Sequence, residues 1–485
     1  MTNGNYPLYL TSLTNLIDGQ LVSPTVSLES SNKCANTGAD LGPKLSTDKL
    51  EIERALKVAD DIHKSGSWFK LPSAKKEAHF KLVSDIYKAH HDEIVKADCV
   101  DIGVLEGFER QISSYPIEFF KVPVEKFNLN RTHEWKPVLQ DEKVIGHERF
   151  AAIGPVVVIC PSNAPIGSSM IQIMRALFNG CPVIAKPSPS SPHSFNVLAK
   201  IFNEANFPAG VFQIVHGDVE VAQSLIKSIS TKAVCFTGSS KAGIEIAKVC
   251  STRLKKFEME LGGINPFLVL KDADLESASK ALSKSLTTIN GMYCCGPSKV
   301  IVHEDIKDKF IDLVLEQFKL FKLGDSLDPD TTLGPICEGL SHPLEKNIKT
   351  LLSYPDSKLI DAQIPLPTLG GKFFQPSLID NVPFDTDIEL FGPVATIHSF
   401  KTIQQAIEMA NSASSRLKTY IFGSNQDDIF ELKNQIDCGW FDVNVFDMSS
   451  GTYDFSELSG FGKSNAQFFT RQIFSSFKEA STVAI

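Results

Sequence analysis

The sequence lacks most of what would send a chain into a membrane, onto nucleic acid or out of the cell. No apolar run approaches the roughly 18 residues of a membrane-spanning helix. No basic block stands out, and 48 Lys and Arg against 57 Asp and Glu leave a formal charge of -9. A nucleic-acid groove or an anionic membrane surface is a poor partner for such a balance. The first twenty residues have no basic region followed by an apolar block, so no secretory signal is read. The ten cysteines show no Cys-x2-Cys spacing, which excludes the usual zinc sites. They read as reduced thiols of a cytoplasmic protein. Internal repeats, low-complexity tracts and the Gly-x-Gly-x-x-Gly dinucleotide fingerprint are also missing. What remains is 485 residues, 42% hydrophobic and 22% charged, enough for two or three soluble domains.

Residues 13–22 read as a hairpin turning at Asp18-Gly19, and 23–46 as a surface loop rich in Ser, Asn, Gly and Pro. A helix follows from residue 50, with Thr47 or Asp48 as its N-cap, and two more are expected over 73–90 and 94–109. Strands are expected over 139–147 and 149–160. The second contains an almost unbroken apolar run, as in a strand buried on both faces. Strand, turn and helix then alternate: turn 161–165 and helix 168–178, strand 182–186 and helix 194–205, strand 211–216 and helix 219–228, strand 233–237 and helix 241–250. This alternation predicts an α/β fold with a doubly wound parallel sheet, whose ligands sit at the carboxyl ends of the strands. Later elements are strand 267–270, helix 275–289, strand 299–303, helix 306–320, a long loop over 324–338, helix 403–410 and strands near 419–423 and 438–446.

One stretch carries the chemistry. Glu260 stands beside Gly262-Gly263, and Cys294 sits in the small-residue turn Asn290-Gly291-Met292-Tyr293-Cys294-Cys295-Gly296. A thiolate can attack a carbonyl, and a carboxylate can then activate water on the thioester. Gly238 and Gly243 flank a helix start whose free N–H groups and dipole favour an anion. Each piece alone reads equally as a plain turn, a small buried hydrophobe or an ordinary capped helix.

The motifs together are Pro161-Ser162-Asn163-Ala164-Pro165, Lys186-Pro187-Ser188, Phe236-Thr237-Gly238-Ser239, Glu260-Leu261-Gly262-Gly263, Gly291-x-x-Cys294, Glu389-x-Phe391-Gly392-Pro393 and Val443-Asn444. In that order, from about residue 13 to the C-terminus, they resemble the aldehyde dehydrogenase superfamily of the NAD(P)-dependent, hydrolytic type. The resemblance implies a dinucleotide-binding domain (1–127 and 151–260), a catalytic domain (261–445) and a small β flap with a tail (128–150 and 465–485) that serves a homodimer or homotetramer. It implies that Cys294 is the nucleophile, that Asn163 and the Cys294 N–H hold the oxyanion, and that Glu260 activates water. NAD or NADP would lie against Lys186, Ser188, Gly238, Ser239, Gly243, Leu261, Glu389 and Phe391. No metal is implied.

The sequence departs from the family in places. Pro189 stands where the family commonly has Glu, which removes a carboxylate that repels a 2′-phosphate; dual use of NAD and NADP is expected, with Ser188, Ser190 and Ser191 as donors. Met292 replaces the usual Gln, and the C-terminal loop is degraded around Tyr453–Gly460. The aldehyde tunnel would be walled by Ala164, Gly167, Ser168 and Ile171, with Tyr293 at the bottom and Met448, Ser449 and Ser450 across it. Small walls and no Lys or Arg among these positions imply a bulky neutral aldehyde. The rival readings are a CoA-acylating, acyl-phosphate-reducing or semialdehyde-type relative, and a non-catalytic homologue.

Overall fold

The computed structural model describes residues 7–122, 135–140, 142–446 and 470–476. Two seven-stranded sheets organise the chain. In the first, Lys256–Leu261, Ala233–Gly238, Val156–Ile159, Val183–Lys186 and Phe212–Ile214 run parallel in that spatial order. The antiparallel hairpin Asn15–Ile17/Gln20–Val22 completes the edge beyond Phe212–Ile214. The doubly wound reading therefore holds, and its central strands are buried throughout because apolar clusters cover both faces. In the second sheet the order is Lys358–Asp361, Ser377–Asp380, Val394–Phe400, Pro297–His303, Asn265–Val269, Lys418–Phe422 and Trp440–Val443. Only its first pair is antiparallel. A third sheet pairs Lys136–Gln140 with Lys143–Ala152, and the latter with Thr470–Ser476.

Several expectations are corrected. Residues 23–46 are not simply a loop: Val26–Lys33 and Asp40–Ser46 form an antiparallel ribbon. Exposed, half-buried and buried positions follow each other along both strands without a two-residue period, so no alternation of apolar and polar positions can be read. The two helices expected over 73–109 are one 30-residue helix, Ser73–Ile102, followed by the short Glu106–Ile112. The His90–Glu93 stretch holds no Gly or Pro to stop the first helix, and His90 bonds Glu93 across one turn at 2.8 Å. The left-handed Gly103 ends it instead. Helix 275–289 stops earlier, at Thr287, and Ile289 and Asn290 take positive φ. The helix Glu338–Leu351, interrupted in sequence by Gly339 and Pro343, went unread.

A further cluster joins the two lobes. Val95, Cys99 and Ile102 of the long helix pack with Met292, Leu390 and Val394 of the second lobe. Met292 is fully buried there, so it anchors the turn that carries Cys294 in the core.

Candidate active site

The site lies where the two sheets meet, and they offer opposite strand ends. The first sheet presents carboxyl ends. Asn163 follows Val156–Ile159, Lys186 ends Val183–Lys186, Ser239 follows Ala233–Gly238, and Glu260 closes Lys256–Leu261 in register with Thr237. The second sheet presents amino ends. Cys294 precedes Pro297–His303, Asn265 begins Asn265–Val269, and Glu389 and Phe391 precede Val394–Phe400.

Buried amides hold the cysteine turn. Asn265, fully buried, donates to the carbonyls of Cys294 and Gly296 at 2.8 and 2.9 Å. Its own oxygen accepts the N–H groups of Leu417 and Lys418 at 2.9 and 3.0 Å. Every hydrogen-bonding position of that amide is thereby used, and the turn is tied to two neighbouring strands. The Tyr420 hydroxyl donates to the Cys295 carbonyl at 2.8 Å. Asn290 donates to the carbonyls of Gly103 and Pro335 and accepts from the Gly334 N–H. Gly291 has φ +82°, and a Cβ there would lie 2.1 Å from the Gly392 backbone, so no other residue fits this crossing. The Asn163 amide donates to the Met292 carbonyl at 2.7 Å, which brings the first sheet's side chain onto the turn.

The two thiols differ. Cys294 is held well above the ordinary thiol value, first by its hydrogen bond with Cys295, then by burial and by the charges of Cys295 and Glu260. Cys295 is held below it, first by the same hydrogen bond and, against burial, by the Lys418 ammonium. Lys418 is itself buried and paired with Asp442 at 2.6 Å. Cys294 therefore rests as the thiol, and the Glu260 carboxylate is near enough for its charge to be felt there.

The residues expected at the dinucleotide form a cradle that fits one. Lys186 is buried and its ammonium makes no hydrogen bond or ion pair with protein among the described residues; burial drops its pKa to about 8. Ser239 caps Ser240–Ser251 by accepting from the Ala242 N–H at 3.3 Å, as a plain N-cap does. Gly243 packs on Leu261, where a Cβ would meet a leucine methyl at 2.8 Å. The Glu389 carboxylate lies over Gly262, where a Cβ would come within 2.2 Å of it. Burial raises Glu389 to about 7, offset in part by a bond from the Gly263 N–H. A buried unpaired ammonium, a half-neutral carboxyl and a helix N-terminus along one edge suit a dinucleotide.

The expected tunnel wall is partly filled. Ala164 is buried, and Ser168 and Ile171 are half-buried on Pro165–Phe178. A Cβ on Gly167 would touch Ile112 at 3.6 Å, so this glycine faces a side chain rather than open space. Ser188 bonds Ser162 at 2.8 Å, and Ser190 lies against Gly339, so the serine donors expected for a 2′-phosphate are partly engaged. Tyr293 is half-buried beside the thiols. Ser449, with Met448 and Ser450, falls outside the described residues. Sequence reasoning missed Asn265, Asn290, Tyr420, Lys418 and Ile112. Only Asn265 left a signal, standing next to Pro266 two residues after the Gly-Gly pair.

Comparison with known proteins agrees. The aldehyde dehydrogenase family matches residues 29–481. A Staphylococcus haemolyticus protein assigned by name to the aldehyde dehydrogenases is 27% identical over 422 residues, 83% of this chain and 85% of its own. Among solved structures, an aldehyde dehydrogenase from Bacillus cereus with NAD+ superposes with a TM-score of 0.85 at 22% identity, covering 98% of this chain and 100% of that one. A 3,6-anhydro-L-galactose dehydrogenase with NAP does so at 0.85 and 22%, covering 96% and 100%. By a match that spans most of its length, the chain belongs to the aldehyde dehydrogenase family.

Proposed function

We propose that this chain oxidises an aldehyde to a carboxylic acid by the hydrolytic route, with NAD or NADP. The observation that carries this is the meeting of Glu260 and Cys294, from different sheets, with the Asn163 amide on the same turn. Cys294 gives up its proton to solvent water, and its sulfur bonds the aldehyde carbon as a thiohemiacetal. Asn163 and the Cys294 N–H hold the oxygen. The nicotinamide, when bound, supplies the hydride acceptor. Lys186, Ser239, Glu389 and Phe391 bind and orient the dinucleotide, with Gly238, Gly243 and Leu261 shaping the floor. Glu260 then takes a proton from the water that cleaves the Cys294 thioester. Use of both NAD and NADP is supported by Pro189, which leaves a 2′-phosphate without a facing carboxylate, and by neighbours solved with NAD+ and with NAP.

The same reading takes residues 1–127 and 151–260 as the dinucleotide domain and 261–445 as the catalytic domain. Residues 128–150 and 465–485 then build a homodimer or homotetramer contact in the cytoplasm. In support, Leu139 and Val144 are exposed on the third sheet, and Lys136–Gln140 is its edge strand. For substrate we favour a bulky neutral aldehyde, now with Ile112 as part of the wall. The test is NAD(P)H formation over acetaldehyde, succinic semialdehyde, benzaldehyde and decanal, with and without CoA. CoA-independent oxidation, best with the larger neutral aldehydes, is expected. Strict dependence on CoA overturns the hydrolytic route, and a best kcat/KM for acetaldehyde or the semialdehyde overturns the substrate class.

A further inference from the structure

The loop Pro187-Ser188-Pro189 faces a narrow crevice whose other wall comes from the N-terminal ribbon and the turn after Phe212–Ile214. Asn32, Lys44, Ser188, Pro189 and His216 are among its lining residues, and no carboxylate is. The ribbon is pinned to that turn: the Thr47 N–H and hydroxyl both donate to the His216 carbonyl, at 3.0 and 2.7 Å. Lys44 is two residues from the end of the ribbon strand Asp40–Ser46, so its backbone position is fixed by this clasp. Its ammonium forms no ion pair or hydrogen bond among the described residues, unlike Lys33, which pairs with Asp40 at 3.0 Å on the same ribbon.

We propose that Lys44 is the cation that recognises the 2′-phosphate of NADP, a role that rests on the dinucleotide reading of Lys186 and Ser188 given above. If those two residues hold the adenosine ribose, its 2′ position faces Pro189 and the crevice. Of the serines first expected to bind the phosphate, Ser188 bonds Ser162, Ser191 is fully buried, and neither Ser190 nor Ser191 is among the lining residues of the crevice. Lys44 supplies what they cannot, a full positive charge in a crevice without an opposing carboxylate. The crevice has room for about one water, ≈ 10 Å³. Its one long, flexible wall is the Lys44 stem, whose swing admits the phosphate and carries the charge with it.

Titration calorimetry on the full chain tests this without turnover. NADP and 2′,5′-ADP are compared with NAD and 5′-AMP, on the wild type, Lys44→Ala and Lys44→Arg. Lys44→Ala is expected to weaken NADP and 2′,5′-ADP by about tenfold or more, with NAD and 5′-AMP unchanged, and Lys44→Arg to restore most of the loss. Unaltered NAD binding also reports that the variant is folded. Equal losses for both pairs, or no loss for either, overturn the proposal. A wild type that binds NAD but not NADP overturns it while leaving the proposed function standing; one that binds neither overturns both.

Discussion

The two seven-stranded sheets are alike in size and largely alike in direction, yet they build their halves of the site by opposite means. The first sheet positions its residues locally. Lys186 and Ser239 sit at the strand ends of strand–turn–helix units, and Glu260 sits at the end of Lys256–Leu261, in register with Thr237 of the neighbouring strand. The second sheet positions its residues at a distance. The Cys294 turn is held by Asn265, Tyr420 and Asn290, whose bonds reach residues 29 to 187 positions away in the chain. A parallel sheet thus offers a ready ligand edge at its carboxyl ends. At its amino ends the connection must be clamped by buried amides instead.

That contrast can be broken by substitution, and the expected effects fall in order. Asn163→Ala removes the one side chain that the first sheet lends to the cysteine turn. A loss of about 10²- to 10³-fold in kcat, with the cofactor Kd little changed, is expected from losing an oxyanion donor. A loss confined to KM would assign Asn163 to binding alone. Asn265→Ala strikes the clamp. It leaves two carbonyls and two N–H groups unpaired in the core, and about 3 kcal/mol of stability is expected to go, together with activity, by chemical denaturation and assay of the same preparation. Full activity at reduced stability would show that the turn keeps its shape without the clamp.

The legibility of the chain follows the same division. The first sheet's strand–turn–helix units can be read from alternating apolar runs and turns, but its edge strand Lys256–Leu261, which carries Glu260, is not among the expected strands. The ribbon Val26–Lys33/Asp40–Ser46 cannot be read either, because its positions lack the two-residue period that marks a strand. In the site, Cys294, Glu260 and Asn163 are named from motifs; in the structure the Asn163 amide bonds the Met292 carbonyl of the Cys294 turn, and the Glu260 charge is felt at Cys294 from its own strand. The role of Lys418 leaves no mark in the sequence, and that of Asn265 only a faint one, since a buried amide or ion pair is defined by partners far along the chain. The neighbour of Gly167 is equally beyond the reach of the sequence: Ile112, from a separate helix, stands at ordinary contact distance from it.

Two smaller effects sharpen the comparison. Glu389 is raised to about 7 by burial, so the folded protein favours its neutral form. Its contribution to stability is complete below the ordinary carboxyl value and is lost as pH rises through 7. The difference in unfolding free energy between wild type and Glu389→Gln is therefore expected to move against the wild type from pH 5 to pH 8. A flat difference across that range would place the carboxylate in water. Ser239→Ala removes only a cap from the first sheet's helix, and thermal unfolding is expected to register a loss of about 1 kcal/mol. A clearly larger loss would mean that this edge, too, depends on distant partners.

The central claim is that Cys294, rather than its more acidic neighbour Cys295, carries the acyl group. Glu260→Gln protein, mixed with aldehyde and NAD and quenched in acid, tests it by mass spectrometry with fragmentation across Tyr293-Cys294-Cys295. The account predicts a stoichiometric acyl thioester on Cys294 that is absent from Cys294→Ala and present in Cys295→Ala. An adduct on Cys295, surviving in Cys294→Ala, would contradict it.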